Sequence, residues 1–467
     1  MQHQEERRGE NTPQARSGDP EERYAESGET FDSDCSDEPD GDLGGVADVA
    51  REGSPYAAAC VAGTFDADFV FNPFDYRFHA TPKAVYRHLR DRSPVHYNEA
   101  LNLYVLSRHA DVVAALKSDD VYSFCHSDTY EAFHPERFAD LVGFFCQDGV
   151  AHSRQRQLAG RPFTPQKSHM AAPLVTRFCR YYLDCALDAV RRTGCGIDLM
   201  TDIAGPISMA IIAELIGFPA EWRERIRSWI DLTVSRDNGS AVVQAEALQA
   251  SEHLLKYLYE FWSERERAGA DGETIADRLI RSVSERRLSK QHGISFLWAL
   301  CFAGQEATAK LFGNAIYLAY RNRLGYLLHR SPAALDDFLV EVMRFDSPAQ
   351  IVYRTLMSDH ALHGVTMHKG ARVGLLLGSA NVDERVFGPD AGQFRVGRRA
   401  HSELITFGWG THYCLGRALG EVEVRLCLEQ FFERVRSYRV DERHCVRAHT
   451  STVHGFSRLP LFELDLA

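Results

Sequence analysis

The stretch Phe407-Gly408-Trp409-Gly410-Thr411-His412-Tyr413-Cys414-Leu415-Gly416 decides how this chain is read. One cysteine lies among three glycines, a phenylalanine and a histidine. Arg417 to Phe432 follow with apolar residues at roughly helical spacing, so the cysteine sits at the mouth of a helix. Glycines let a backbone come close to a flat partner. Backbone N–H groups and the positive end of a following helix stabilise a thiolate and lower the thiol pKa. Such a loop suits a thiolate ligand to iron. The plainer alternative is a glycine-rich turn around a buried free cysteine, which is a common core residue.

Phe407, Gly408, Gly410, His412, Cys414 and Gly416 match the pattern F-G-x-G-x-H-x-C-x-G position by position. The stretch thus resembles the haem-binding signature of the cytochrome P-450 family. Six matches at fixed spacing weigh against the plainer alternative. The resemblance implies haem b as cofactor, with Cys414 as axial ligand of its iron and Phe407, His412 and Gly416 around it. It also implies a mainly α fold with small β-sheets. That fold is a triangular prism-like single domain, with haem between a long central helix and the cysteine loop.

The chain has 467 residues, 45% of them hydrophobic and 25% charged, which is globular composition. The net charge of −12 is carried almost wholly by residues 1–54. That segment holds about 16 acids against about 5 bases. It is too poor in apolar residues to offset its ordering entropy and reads as a disordered acidic tail. The remainder is near neutral and gives no argument for nucleic acid. Residues 60–467 read as one domain without internal repeats. Eleven cysteines are scattered without C-x-x-C pairs, the usage of a reducing compartment and not of a disulfide framework. With no run of about 18 apolar residues and no signal-peptide core, neither membrane nor export is expected, and the location reads as cytoplasmic.

Phe296 to Tyr320 has the pattern of a long apolar helix with Ala303-Gly304-Gln305-Glu306-Ala307-Thr308 at its middle. A glycine inside a helix costs roughly 1 kcal/mol against alanine, and close approach of a flat cofactor would account for it. A carboxylate in an apolar helix is rare unless paired or used. The segment resembles the family's A-G-x-(D/E)-T helix, which implies a proton-relay role for Glu306. Ala307 stands where the family has a threonine, so the hydroxyl that assists proton delivery is missing. Thr308 lies about 100° further round and is not expected simply to replace it. A substrate hydroxyl, local waters, or a reaction with less need of protons would each fit.

His152 and Arg156 are four apart and share one helix face, as two donors suited to carboxylates or as a solvated basic face. The resemblance assigns them to a haem propionate, together with Arg354 and His412. It reads Glu341, Arg344 (as E-x-x-R) and Arg398 as a scaffold for the cysteine loop. Ala418 to Glu423 resembles the family's A-L-A-R-x-E, with Glu421 in place of its arginine and no catalytic role put in doubt. Pocket candidates by resemblance are Phe144, Phe145, Ala299, Ala303, Ala349, Ile351 and Phe456, under a lid over 221–240.

The expectation is a monomeric monooxygenase of the cytochrome P-450 type, acting on a small or medium organic molecule of secondary metabolism, free or carrier-bound. A ferredoxin or flavodoxin-type donor with its reductase would supply two electrons. Oxidative coupling, peroxide-driven oxidation and a non-catalytic haem sensor are the rival readings.

Overall fold

Caps written in the sequence set the ends of the main helices. Thr274 and Asp277 form a reciprocal capping box, and the Ser289 side chain accepts from the His292 N–H. Gly194 and Gly217 stop two helices in the left-handed region, at φ 70° and 98°. The computed structural model describes residues 65, 69–75, 78, 82–124, 147–331, 333–398, 401–450 and 452–466. The expected tail over 1–54 and the pocket candidates Phe144 and Phe145 lie outside these residues.

The principal helices are α1 (Pro82–Arg92), α2 (His109–Leu116), α3 (Gly149–Ala159), α4 (Ala172–Thr193) and α5 (Gly205–Ile216). They continue with α6 (Arg223–Val234), α7 (Ala245–Arg267), α8 (Ile275–Ser284), α9 (Lys290–Arg321), α10 (Ala334–Phe345) and α11 (Arg417–Arg434). At 32 residues α9 is the longest of these, about 48 Å. Its first half, through Cys301, packs into an apolar core with α5, α7 and α8. Its second half, from Ala309, packs into another core with α4, α5, α10 and α11. Ala303 to Thr308 fall between the two cores.

One sheet runs in the order β1 (Val95–Asn98), β2 (Leu103–Leu106), β8 (Arg372–Leu376), β5 (Ile351–Leu356), β3 (Tyr122–Ser123). Only β2 and β8 pair in parallel within it. A second sheet, β4 (Ile197–Asp198), β12 (Pro460–Leu466), β9 (Val435–Val440), uses C-terminal strands that the sequence reading did not place. The stretch Leu199–Ile216 has the length and mean hydropathy of a membrane span, although Asp202 and Glu214 interrupt its apolar residues. It is a core segment, with 78% of it buried inside the protein.

Candidate active site

The cysteine loop is wound by local hydrogen bonds. The Cys414 N–H donates to the Phe407 carbonyl at 2.9 Å, and the Gly408 N–H to Ile405 at 2.8 Å. Gly408 and Gly410 take φ of 72° and 77°, where a side chain would strain the backbone. At Gly410 a Cβ would also stand 2.5 Å from the Leu116 carbonyl oxygen of α2. The Gly416 and Arg417 N–H groups, at the start of α11, favour the Cys414 thiolate. Burial is nevertheless the largest influence and pushes the thiol above its ordinary value, against those N–H groups and the Arg156 guanidinium.

Beneath the loop lies a buried polar scaffold. Arg344 clasps Glu341 through two bonds, Nε to Oε2 at 2.8 Å and Nη2 to Oε1 at 2.7 Å. Its remaining donors reach the carbonyls of Asn381, Ala391 and Gln393. Glu341 also accepts from the Arg395 N–H at 2.8 Å, with Arg398 Nε at 3.7 Å. The Asn381 side chain carries the linkage onward, donating to Thr406 Oγ1 at 2.8 Å and accepting from the Ile405 N–H. Thr406 donates back to the Met343 carbonyl of α10 at 2.7 Å. The chain of bonds thus ends on the residue before Phe407. Charge-assisted bonds of this kind are the strong ones in a dry interior.

Cys414 opens into a cavity of about 330 Å³ whose opposite wall is α9. Ala299, Ala303, Gly304, Ala307, Thr308 and Leu311 line that wall, the spacing of one helix face. Gln305, Glu306, Ala309 and Lys310 lie on the other face and line a second cavity, shared with Asp231 of α6. Glu306 therefore backs away from the wall that Ala307 presents to Cys414. Gly304 has a packing reason: a Cβ there would lie 2.6 Å from Cγ1 of Ile212 on α5. Thr308 shares the cavity with Ala307, but it sits toward Gly420 of α11.

The expected propionate partners all line the cavity, in unlike states. Arg354 is buried, its Nε has no acceptor among the described residues, and its guanidinium lies over Phe124 at 4.0 Å. Burial pulls it down to about 10, so it stays cationic at neutral pH. Arg156 Nη2 donates to the Tyr413 carbonyl, next to Cys414. His412 Nε2 is 2.8 Å from Asp148 Oδ1, and its ring is stacked between Phe124 and His152. Burial first, then His412 and Arg156, pull His152 down to about 4, so it is a neutral ring and not a cation.

These residues fit the haem that the cysteine loop implies. A cysteine that lines the cavity, an orphaned buried arginine Nε, and Gly416, where a Cβ would meet nothing within 4 Å, leave room and a donor for a flat anionic group. Ala299, Ala303 and Ala349 line the cavity as expected of pocket residues, but Ile351 and Phe456 do not. On β5 alternate residues face opposite ways, so Val352 and Arg354 reach the cavity while Ile351 and Tyr353 pack into the core behind. Phe456 is buried against Tyr317 and beneath Arg447. Phe124, Phe163, Ile212, Phe296 and Glu423 line the cavity without having been singled out for it. Glu423 is buried, accepts from Ser208 Oγ at 2.6 Å, and is pushed up to about 8 by desolvation. No local signal marks the aromatic residues; a carboxylate in the buried stripe of α11 was the one legible sign.

Known proteins are similar to this chain along most of its length. The family model described as Cytochrome P450 matches residues 333–454. Cytochrome P450 123 of Mycobacterium tuberculosis is 35% identical over 405 residues, covering 85% of this chain and 97% of that one. A steroid C26-monooxygenase of the same organism is 27% identical over 395 residues, covering 83% and 95%. The crystal structure of CYP109E1 from Bacillus megaterium with testosterone superposes with a TM-score of 0.74 at 23% identity, covering 82% and 98%. With its thiolate loop, its long helix across the cavity and relatives along most of its length, the chain belongs to the cytochrome P450 family of haem b monooxygenases.

Proposed function

We propose that this enzyme oxidises a neutral, mostly apolar organic molecule of small to medium size, held against the alanine face of α9. The observation that carries the reading is the cavity between Cys414 and the methyl groups of Ala299, Ala303 and Ala307. In this reading Cys414 holds the haem iron, and Arg354 and Arg156 neutralise the propionates. Bound haem supplies the activation of dioxygen; the chain supplies everything else. Glu341, Arg344 and Asn381 hold Thr406 and hence the loop. The apolar wall excludes water and binds substrate by area, not by direction. A ferredoxin or flavodoxin-type donor would deliver the electrons. Relatives bearing on steroids make a rigid polycyclic substrate the first class to try, and a secondary metabolite the next.

Proton supply is the open step in the chain's own machinery. Ala307 has no hydroxyl, and Glu306 faces the second cavity. Substrate-assisted proton delivery fits this arrangement: a substrate hydroxyl, or a water it fixes, takes the place of the missing donor. Ala307→Thr then leaves coupling of reductant to product unchanged or lowers it; a large rise in coupling would sink the idea. The same wall favours a second reading, oxidation driven by peroxide or oxidative coupling, in which fewer protons are needed. Turnover with peroxide alone, and product masses without added oxygen, would select that reading.

The deciding experiment is a spectrum. Reduced protein with carbon monoxide should absorb as thiolate-ligated haem, and a steroid and aromatic library should shift the spin state of the oxidised form. Protein that binds no haem after reconstitution would overturn the proposal.

A further inference from the structure

Helix α11 carries a thiol that the chemistry above does not use. Cys427 faces Cys179 of α4, and the two sulfurs stand 2.9 Å apart. An S–S bond is about 2.0 Å long, so closing one asks for a movement of about 0.9 Å. Both thiols are buried in the core that α4, α5, α9 and α11 share. The two residues are 248 apart in sequence, so their meeting is a product of the fold. Glu423 lies one helical turn before Cys427 and lines the cavity that Cys414 opens into. Ser208 of α5 donates to that carboxyl. Cys179, Cys427, Glu423 and Ser208 thus form a buried cluster that begins at the wall of the oxygen-reducing cavity and ends at a thiol pair.

We propose that Cys179 and Cys427 are a redox pair, which hydrogen peroxide converts to a disulfide that staples α11 to α4. The Cys427 sulfur attacks one peroxide oxygen; the O–O bond breaks, the thiol proton joins the departing hydroxide as water, and a sulfenic acid remains. The Cys179 sulfur then attacks the Cys427 sulfur; the S–O bond breaks and the second water leaves with the Cys179 proton. Two thiols lose two electrons and two protons, and one peroxide becomes two waters. Cys427 lies one turn from the cavity wall and so meets the peroxide first; burial keeps its thiol protonated, and the proton leaves as the O–O bond breaks. Peroxide is the two-electron reduction product of dioxygen, so a monooxygenase that releases it early makes the oxidant beside the pair. The family reading enters only as the source of that peroxide, and the test supplies peroxide directly. The bond would close a very long loop and so restrict the unfolded chain. It would also fix the helix whose first turn follows Cys414.

The test treats the haem-loaded protein with hydrogen peroxide, blocks remaining thiols in denaturant, and maps unreduced peptides by mass spectrometry. The expected result is a Cys179–Cys427 linked peptide in most molecules, separated by dithiothreitol, and a melting temperature raised by several degrees until the reductant is added. Cys179→Ser and Cys427→Ser should each abolish the link and the rise, while Cys195→Ser keeps both. Two alkylated thiols after peroxide exposure, a sulfinic acid at Cys427 without a link, or linkage to another cysteine would each overturn the proposal. Should a serine variant fail to fold, the map of the unaltered chain decides alone. A missing link beside an intact carbon monoxide spectrum overturns the redox pair and leaves the family reading standing.

Discussion

Around Cys414 the polar groups of the scaffold are bound to one another: Glu341 to Arg344, Arg344 to three carbonyls, Asn381 to Thr406, Thr406 to Met343. Across the cavity, Ala299, Ala303 and Ala307 offer only methyl groups; Gln305, Glu306 and Lys310 turn to the far side of the helix, and Thr308 sits at the edge toward Gly420. The first wall is held by direction-dependent bonds, the second by shape alone. A wall held by bonds cannot move its ligand without breaking a buried ion pair. A wall of methyl groups can change what it accepts by a single carbon. The ligand side is therefore where substitution should destroy the protein, and the alanine side is where it should alter specificity.

Four substitutions break or sharpen that contrast, in falling order of effect, and a fifth serves as their control. Cys414→Ser should abolish monooxygenase turnover and the thiolate-type carbon monoxide spectrum altogether. Retention of either would remove the loop from the centre of the site. Arg344→Ala strands Glu341 in a dry interior, which costs about 3–5 kcal/mol for a buried pair broken on one side. Denaturant unfolding should show that loss, with poor haem retention alongside; a loss below about 1 kcal/mol would mean the pair is solvated like a surface one.

Glu423→Gln tests whether the shared edge of the two walls stores an uncompensated acid. The folded pKa of about 8 lies above the ordinary carboxylate value. The folded state therefore binds the proton more tightly than the unfolded chain, and stability falls as pH rises from about 5 through about 8. The glutamine variant lacks that loss, so it should gain about 3 kcal/mol over the unaltered protein between those pH values. A constant gap across the range would show that Glu423 ionises normally.

Ala303→Leu should have the smallest effect on stability, since the added carbons enter open space. It should weaken binding of a bulky ligand about tenfold, read by the spin-state titration. Ile351→Ala is the matching control on β5. It should cost about 2–5 kcal/mol as a core deletion and leave ligand affinity unchanged. If instead it altered affinity, β5 would be out of register by one residue.

The signature over Phe407–Gly416 was legible because its requirements are local: two glycines at positive φ, a cysteine, and a helix start close behind. The long helix and its Ala303–Thr308 centre were legible for the same reason, since length, cap and composition are one-dimensional. Which face of that helix meets Cys414 was not. Glu306 and Ala307 are neighbours in sequence, yet a rotation of about 100° puts them on different cavities. Ile351 was named by resemblance, whereas Val352 lines the cavity, because a strand's residues alternate between faces and resemblance alone does not say which parity meets the core. His152 was read as one of two donors of either charge; its environment keeps it neutral, because a buried imidazole beside other cations loses its proton.

By itself the sequence determined the family, the cysteine loop's signature and the long central helix, because each depends on residues close together in the chain. Only the tertiary structure decided that Glu306 backs onto a second cavity, that Glu423 reaches the first, and that Cys179 meets Cys427. Those meetings depend on how α4, α5, α9 and α11 pack side by side. Packing is set by the summed shapes of residues far apart in sequence, which no local pattern records.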